Sequence, residues 1–301
     1  MSFENVYGAP PAELTSVYVG ARQFSPLSPG AERLSAVAPG SLNGIAMLAP
    51  PGAVERRRAL ALALRALAPG ARLVAMAPKD KGGSRLAGDL GFLGARFEET
   101  SRRHHRICEA RGPGDAGAIE AAIAAGEPRL VAGMGLWSQP GVFSWDRLDP
   151  GSALLRVHLP ALSGDGADLG CGNGALSIAA LSSAKISRLT LIDIDRRAID
   201  MAKRNIDDPR AAFHWADARA FAAPAGLEFI VMNPPFHDGG VENHALGQAF
   251  IQKAAAMLRK GGALWMTANR HLPYEAVLRK SFHSVEPVAQ ADGFKIFRAA
   301  T

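Results

Sequence analysis

The chain has 301 residues, 48% of them hydrophobic and 21% charged, which excludes wholesale disorder and suggests about two domains at roughly 100–200 residues each. Lys and Arg number 34 against 28 Asp and Glu, and each side of residue 150 holds 17 basic and 14 acidic residues, so the +6 has no basic tail or block. An even excess of this size suits a nucleic-acid partner without requiring one, and two cysteines, Cys108 and Cys171, exclude a disulfide framework and point to a reducing, cytoplasmic compartment.

The N-terminus, MSFENVYGAPPAEL, has no basic segment followed by an apolar one, so no secretory signal is expected. Val54 to Leu67 reads as a helix, with Arg56, Arg57 and Arg58 as its solvated face. Its apolar run from Ala59 to Leu67 is broken by Arg65 and is too short to cross a bilayer, so no membrane is expected. Arg72 to Met76 reads as a strand, Asp115 to Ala125 as an Ala-rich helix and Arg129 to Ala132 as a strand. This βα alternation predicts a parallel sheet, and its turns carry no nucleotide fingerprint. His104, His105 and Cys108 lack a fourth ligand nearby, so no metal is expected.

The Gly-, Pro- and aromatic-rich stretch from Gly133 to Gly151 marks a boundary, giving a first domain over 1–138 and a second over 139–301. Beyond it the punctuation sharpens. Helices are predicted over Ser152–Leu162, from Gly174 to Leu181, over Arg196–Asn205, over Ala245–Leu258 (stopping at Lys260-Gly-Gly262) and over Tyr274–Lys280. Strands are predicted at Gly166–Leu169, Arg188–Ile194, Ala211–Trp215, Leu227–Met232 and Ala263–Thr267, with two more around Val285 and over Phe294–Arg298. The expectation is an α/β fold with a six- or seven-stranded doubly wound sheet.

Four signals in that half carry chemistry. Asp168-Leu-Gly-Cys-Gly-Asn-Gly174 lies between strand and helix, where glycines permit a tight turn and a helix start offers N–H groups. Gly170, Gly172 and Ala175 also satisfy a loose dinucleotide fingerprint. Asp168, however, would repel a pyrophosphate and suits the α-ammonium of a methionine-like ligand. Asp193 closes the next strand, where an acidic side chain accepts from ribose hydroxyls, while Asp195 is better placed to cap the following helix. Asp217, followed by Ala218, can accept from an adenine amino group, although a lone Asp in a turn is more often a cap.

The fourth signal is Asn233-Pro-Pro-Phe236 after a buried strand. Two prolines remove two donors and fix the backbone, so the Asn233 oxygen and the Pro234 carbonyl can accept both hydrogens of one planar amine. That bias makes a conjugated nitrogen nucleophilic toward an electrophilic methyl, and Phe236 offers a face for a base, worth about 1–3 kcal/mol. No strong general base is required.

Together these motifs resemble class I S-adenosylmethionine-dependent methyltransferases of the exocyclic-amino type. Pro140-Gly-Val-Phe-Ser144, Leu148-Asp-Pro-Gly-Ser-Ala-Leu-Leu155, Asn233 to Gly239, Ala268-Asn269 with Leu272-Pro-Tyr274, and Ala291 to Phe297 narrow the resemblance over residues 139–301. They resemble bacterial rRNA guanine-N2 methyltransferases, the methyltransferase C family of the small subunit first and the related methyltransferase G family, which acts on the large one, next. The resemblance implies a seven-stranded Rossmann-like catalytic sheet preceded by a smaller, degenerate methyltransferase-like domain. It implies methyl transfer from S-adenosylmethionine to guanine N2 in ribosomal RNA, 16S rRNA of the small subunit before the large-subunit alternative.

Carried over by position, Asp168, Gly170, Cys171 and Gly172 line the methionine end of the cofactor, with Cys171 a small loop residue. Asp193 and Ile194 take the ribose, Asp217 and Ala218 the adenine, and Asn233, which also meets the cofactor, takes the target amine with Pro234. Pro235, Phe236 and His237 meet the substrate, and Phe143 closes over cofactor or base. Competing readings are methylation of a protein glutamine or an adenine amine, a dinucleotide-dependent oxidoreductase, and a non-catalytic rRNA-binding assembly factor.

Overall fold

Two βα series follow one another along the chain, and they separate into compact units, Met1–Glu127 and Pro128–Thr301. The structure is a computed structural model that describes residues 2–222, 226–235, 237–238, 241–242 and 244–301, with backbone only at 237–238, 241–242 and 244.

In the first unit the strands are β1 (Phe3–Tyr7), β2 (Val17–Gln23), β3 (Leu42–Leu48), β4 (Leu67–Pro78), β5 (Arg96–Arg102) and β6 (His105–Arg111). The helices are α1 (Ala53–Ala66), α2 (Ser84–Phe92) and α3 (Ala116–Ala125). The sheet order is β2-β1-β3-β4-β6-β5, with β1 to β4 parallel and β6 antiparallel to both neighbours. Helix α1 buries Leu60, Leu64 and their Ala neighbours against Ile45, Met47 and Leu73 of the sheet, which accounts for the apolar run read in the sequence.

The second unit opens with a hairpin, β7 (Arg129–Val131) and β8 (Leu136–Ser138), followed by α4 (Pro150–His158). Then come β9 (Gly164–Leu169), α5 (Ala175–Leu181), β10 (Ile186–Asp193), α6 (Arg196–Asn205), β11 (Ala211–Trp215) and β12 (Leu227–Met232). A short pair, β13 (His237–Asp238) and β14 (Val241–Glu242), precedes α7 (His244–Met257), β15 (Leu258–Asn269), α8 (Glu275–Ser281), β16 (Ser284–Ala291) and β17 (Phe294–Ala300). The main sheet has seven strands in the order β11-β10-β9-β12-β15-β17-β16. Only β17 runs against its neighbours. Counted within the sheet this is 3-2-1-4-5-7-6, the seven-stranded arrangement that the resemblance implies.

The first sheet repeats that order without strand 3, so β3-α1-β4-α2-β5-β6 corresponds to β12-α7-β15-α8-β16-β17. Even the irregularity recurs: the register slips between Leu42 and Gly44 in β3 and between Leu227 and Phe229 in β12. Gly70 and Gly261 take the same positive φ, 76°, in the two corresponding turns.

The division falls after Glu127 rather than after residue 138, because the hairpin belongs to the second unit. Asn205 of α6 accepts from the Trp137 N–H (2.7 Å) and donates to its carbonyl (2.9 Å). The expected solvated arginine face is corrected as well. Arg56 is 2% exposed and bonds to Asp89 and to the carbonyls of Pro50 and Pro51. Arg57 shares the same Asp89 carboxylate from a half-exposed position. His104 lies in the β5–β6 turn at φ 60°, off the strand on which His105 begins β6. Among the described residues no helix is long and apolar enough to cross a membrane.

One glycine of the second sheet is fixed by packing. A Cβ at Gly166 of β9 would overlap the ring of Phe229 on β12. Both lie in the sheet centre, so the ring has little room to withdraw. Gly166→Ala is expected to destabilise the chain by roughly 1–3 kcal/mol, read as a lower midpoint in thermal unfolding.

Candidate active site

The parallel strands β9, β10 and β12 deliver their C-terminal ends to one edge of the second sheet, and the site grows from the turns there. After β9, Gly170, Gly172 and Gly174 take φ of 76°, 56° and 87°, values that a side chain would oppose. The turn is pinned to β10, where the Ile192 carbonyl accepts from the N–H groups of Gly170 (2.8 Å) and Cys171 (3.1 Å). Where a Cβ at Gly172 would stand there is open space, a cradle beside a glycine backbone.

Asp193 closes β10, with Oδ2 accepting from the Gly172 N–H (2.8 Å) and Oδ1 from the Asp195 N–H (2.8 Å). Burial, then the neighbouring charge of Asp195, push its carboxyl up to about 6 against the pull of those N–H groups. Each oxygen keeps a second lone pair for a ligand hydroxyl. Ile194 follows at the rim, partly exposed. Asp195 caps α6 as expected, accepting from the Arg197 N–H.

Asp168 departs from its expected place. Its side chain is wholly buried, and Oδ2 accepts from Ser177 Oγ of α5 at 2.6 Å. It ties β9 to α5 from beneath the loop and presents no exposed atom to an ammonium. Its Oδ1 has no partner among the described residues, and burial pushes the carboxyl up to about 7.

A carboxyl raised from 3.8 to about 7 on folding holds its proton more tightly in the folded chain. Its contribution to stability is therefore greatest at low pH and falls as pH rises through that window. Asp168→Asn, which keeps an acceptor for Ser177, is expected to raise the unfolding midpoint over the parent chain at pH 8 more than at pH 5. An equal change at both would show that the carboxyl does not titrate there.

Cys171 is buried, and burial followed by Asp193 and Asp168 pushes its thiol well above the usual range. It fills the loop without nucleophilic character. Asp217 is held below the ordinary carboxylate range by Arg219, which forks both its oxygens (2.9 and 2.6 Å). Ala218 is 3% exposed and packs in the core. The adenine contact expected of Asp217 would thus have to share a carboxylate already engaged.

At the end of β12, Asn233 donates from Nδ2 to Asp149 Oδ2 (2.8 Å) and to Ser152 Oγ (2.9 Å). Asp149 is the N-cap of α4, accepting from the Ser152 N–H at 2.8 Å, with Pro150 behind it in the first turn. Pro234 is buried and Pro235 half-buried. Asp149, Ser152, Asn233, Gly170 and Gly172 line one pocket, and Phe143, 60% exposed, stands at its wall. Phe236 and the side chain of His237 lie outside the described residues.

The structure thus gathers the glycine loop, Asn233 and Phe143 around one pocket, with Asp193 bonded to its floor at Gly172. It adds Asp149 and Ser152, which lie in the Leu148–Leu155 motif of the resemblance but have no role in the sequence reading of the site; here they form the helix start Asp-Pro-Gly-Ser. It adds Asn205 too, which donates to the Asn173 carbonyl (2.9 Å) while holding Trp137. No pattern in the sequence pairs Asn205 with either.

Residues 133–298 match the methyltransferase small domain family. Over 280 residues, 90% of this chain and 83% of the relative, the chain is 32% identical to ribosomal RNA small subunit methyltransferase C of Pseudomonas paraeruginosa. The chain belongs to the small-subunit ribosomal RNA methyltransferase C family. The Pseudomonas aeruginosa member is 33% identical over the same shares of the two chains. Ribosomal RNA large subunit methyltransferase G of P. paraeruginosa is 34% identical over 77% of this chain and 64% of its own length. Among solved structures, the T. thermophilus 16S rRNA N2 methyltransferase in complex with AdoMet and guanosine matches at a TM-score of 0.71. That match has 23% identity and covers 96% of this chain and 78% of the other. Membership of the methyltransferase C family makes the chain a methyltransferase, and the matched residues 133–298 fall within the second unit, which carries the seven-stranded sheet and the pocket.

Proposed function

We propose that this chain transfers the methyl group of S-adenosylmethionine to the exocyclic N2 of a guanine in ribosomal RNA, in the 16S rRNA of the small subunit, in the cytoplasm and without a metal. The observation that carries the reading is the state of the Asn233 amide. Both of its N–H groups are taken by Asp149 and Ser152, so its remaining polar atom, Oδ1, is an acceptor. A target amine has two hydrogens to place, and Oδ1 with the Pro234 carbonyl can receive both.

The groups in and beside the pocket suit the cofactor as a donor set. Asp193 offers lone pairs to a ribose, and Gly172 leaves open space beside the backbone. Bound S-adenosylmethionine supplies an electrophilic methyl on a sulfonium. As the N–C bond forms and the C–S bond breaks, the nitrogen becomes acidic and gives one proton to solvent, so no strongly basic side chain is needed. A base reaches such a pocket only when unstacked, and Phe143 and Phe236 are the candidate faces for stacking.

The test incubates the purified chain and methyl-labelled S-adenosylmethionine with 30S subunits, 50S subunits and tRNA, then digests the RNA to nucleosides. Label in N2-methylguanosine from 16S rRNA is expected, and the identity to a large-subunit methyltransferase makes the 50S arm necessary. Absence of label from every rRNA would overturn the reading.

A further inference from the structure

The N-terminus of α4 holds Asn233 in one of its two amide orientations, and we infer that Asp149 and Ser152 are positioning residues for the methyl transfer. The inference rests on the reading of Asn233 as the acceptor of the target amine, and it concerns what makes Asn233 an acceptor at all. An asparagine side chain can present either its oxygen or its NH2 to a given neighbour, and the two differ only by rotation about one bond. If the NH2 faced the target amine, donor would meet donor and the amine would be repelled.

Asp149 removes that choice. Its carboxylate only accepts, so the atom of Asn233 at 2.8 Å from Asp149 Oδ2 is the nitrogen. Ser152 Oγ, at 2.9 Å, accepts the second hydrogen. The bracket is itself rigid: Asp149 Oδ2 also accepts the Ser152 N–H at 2.8 Å as the helix cap. Ser152 is 8% exposed, so little water competes for these contacts. Asp149 stands 84 positions before Asn233, yet both line the same pocket as the glycine loop. The arrangement does two jobs with one carboxylate, capping the helix and setting the direction of the catalytic oxygen.

The two jobs are separable by substitution. Ser is nearly as good a cap as Asp but is too short to hold the Asn233 nitrogen as well. Asn at 149 retains one oxygen able to accept from both donors. Asp149→Ser is therefore expected to keep its unfolding midpoint and its affinity for S-adenosylmethionine by calorimetry, while kcat on 30S subunits falls about a hundredfold, the scale of a misplaced reacting group. Asp149→Asn restores kcat to within a few-fold. Ser152→Ala, which leaves the backbone cap intact, lowers kcat about tenfold, as expected for one orphaned hydrogen-bonding group.

Parental kcat in Asp149→Ser and Ser152→Ala, with the parent chain labelling rRNA, would overturn the inference while leaving the proposed function standing. A fall in kcat matched by loss of the folded state or of cofactor affinity would also overturn it, since the residues would then be structural. No label in rRNA from the parent chain overturns the proposed function and the inference together.

Discussion

Asn233→Ala is expected to bind S-adenosylmethionine as the parent does and to lose about 10²–10³ in turnover. The size follows from what the side chain supplies. The target amine is conjugated to its ring and is a poor nucleophile until its hydrogens are held out of plane, and holding them takes two acceptors in fixed positions. The Pro234 carbonyl remains in the variant, since two prolines hold the backbone without help from the side chain. One acceptor of two is lost. Gly172 and Asp193, the residues proposed to meet the cofactor, and the Ile192 carbonyl that pins their loop make no bond to Asn233. The split between an unchanged dissociation constant by calorimetry and a fallen kcat is thus the signature, and parental turnover would refute the amine-positioning role.

The parts of this site that the sequence displays are those lying at strand ends beside turns. Gly170 to Gly174, Asp193 and Asn233-Pro-Pro each interrupt an apolar run with residues that strands avoid, so their place follows from local chemistry. Asp195 is legible as a cap for the same reason. What stays hidden depends on contacts distant in sequence or on depth. Asp168 looks like a ligand-facing carboxylate in the chain, but Ser177 draws it beneath the loop. Asp217 looks available until Arg219 is seen forking it.

The first unit is harder to read because its outer strands do not alternate. Phe97 is the lone large apolar residue of Arg96–Arg102, and all six of the other positions are exposed, as suits an edge strand rather than a core one. The repeat is nonetheless present. Leu67-Ala-Pro-Gly-Ala-Arg-Leu73 and Leu258-Arg-Lys-Gly-Gly-Ala-Leu264 share Leu, Gly and Leu at matching positions. Each follows an Ala-rich helix and opens a buried strand. It sets no solenoid period, because the unit occurs only twice.

Arg56→Ala is expected to destabilise the first unit by about 3–5 kcal/mol, the cost of leaving one partner of a buried ion pair without the other. The correspondence between the two sheets shows what the residue stands in place of. Ala49-Pro50-Pro51 ends β3 where Asn233-Pro234-Pro235 ends β12. In the second unit that turn faces a pocket; in the first, Arg56 Nη1 donates to the Pro51 carbonyl (2.7 Å) and the Pro50 carbonyl (3.3 Å). A guanidinium therefore stands against the Pro50 carbonyl, the counterpart of the Pro234 carbonyl that a target amine would meet in the second unit, and against the Pro51 carbonyl beside it. Asp89, 3% exposed at its side chain, neutralises it through Nε at 2.7 Å. With Ala at 49 the turn lacks the amide acceptor, so the first copy keeps the fold and satisfies its prolyl carbonyls internally.

Removing the Arg56 side chain strands two carbonyls and leaves Asp89 to Arg57 alone, whose guanidinium is nearly half exposed. Replacing both partners, Arg56→Leu with Asp89→Leu, buries no charge and should recover much of the loss, as paired apolar replacements of buried ion pairs do. Denaturant unfolding of the single and double variants measures both quantities. A loss below about 1 kcal/mol in Arg56→Ala, the scale of an exposed pair, would show that water reaches the turn and that the guanidinium does not fill it.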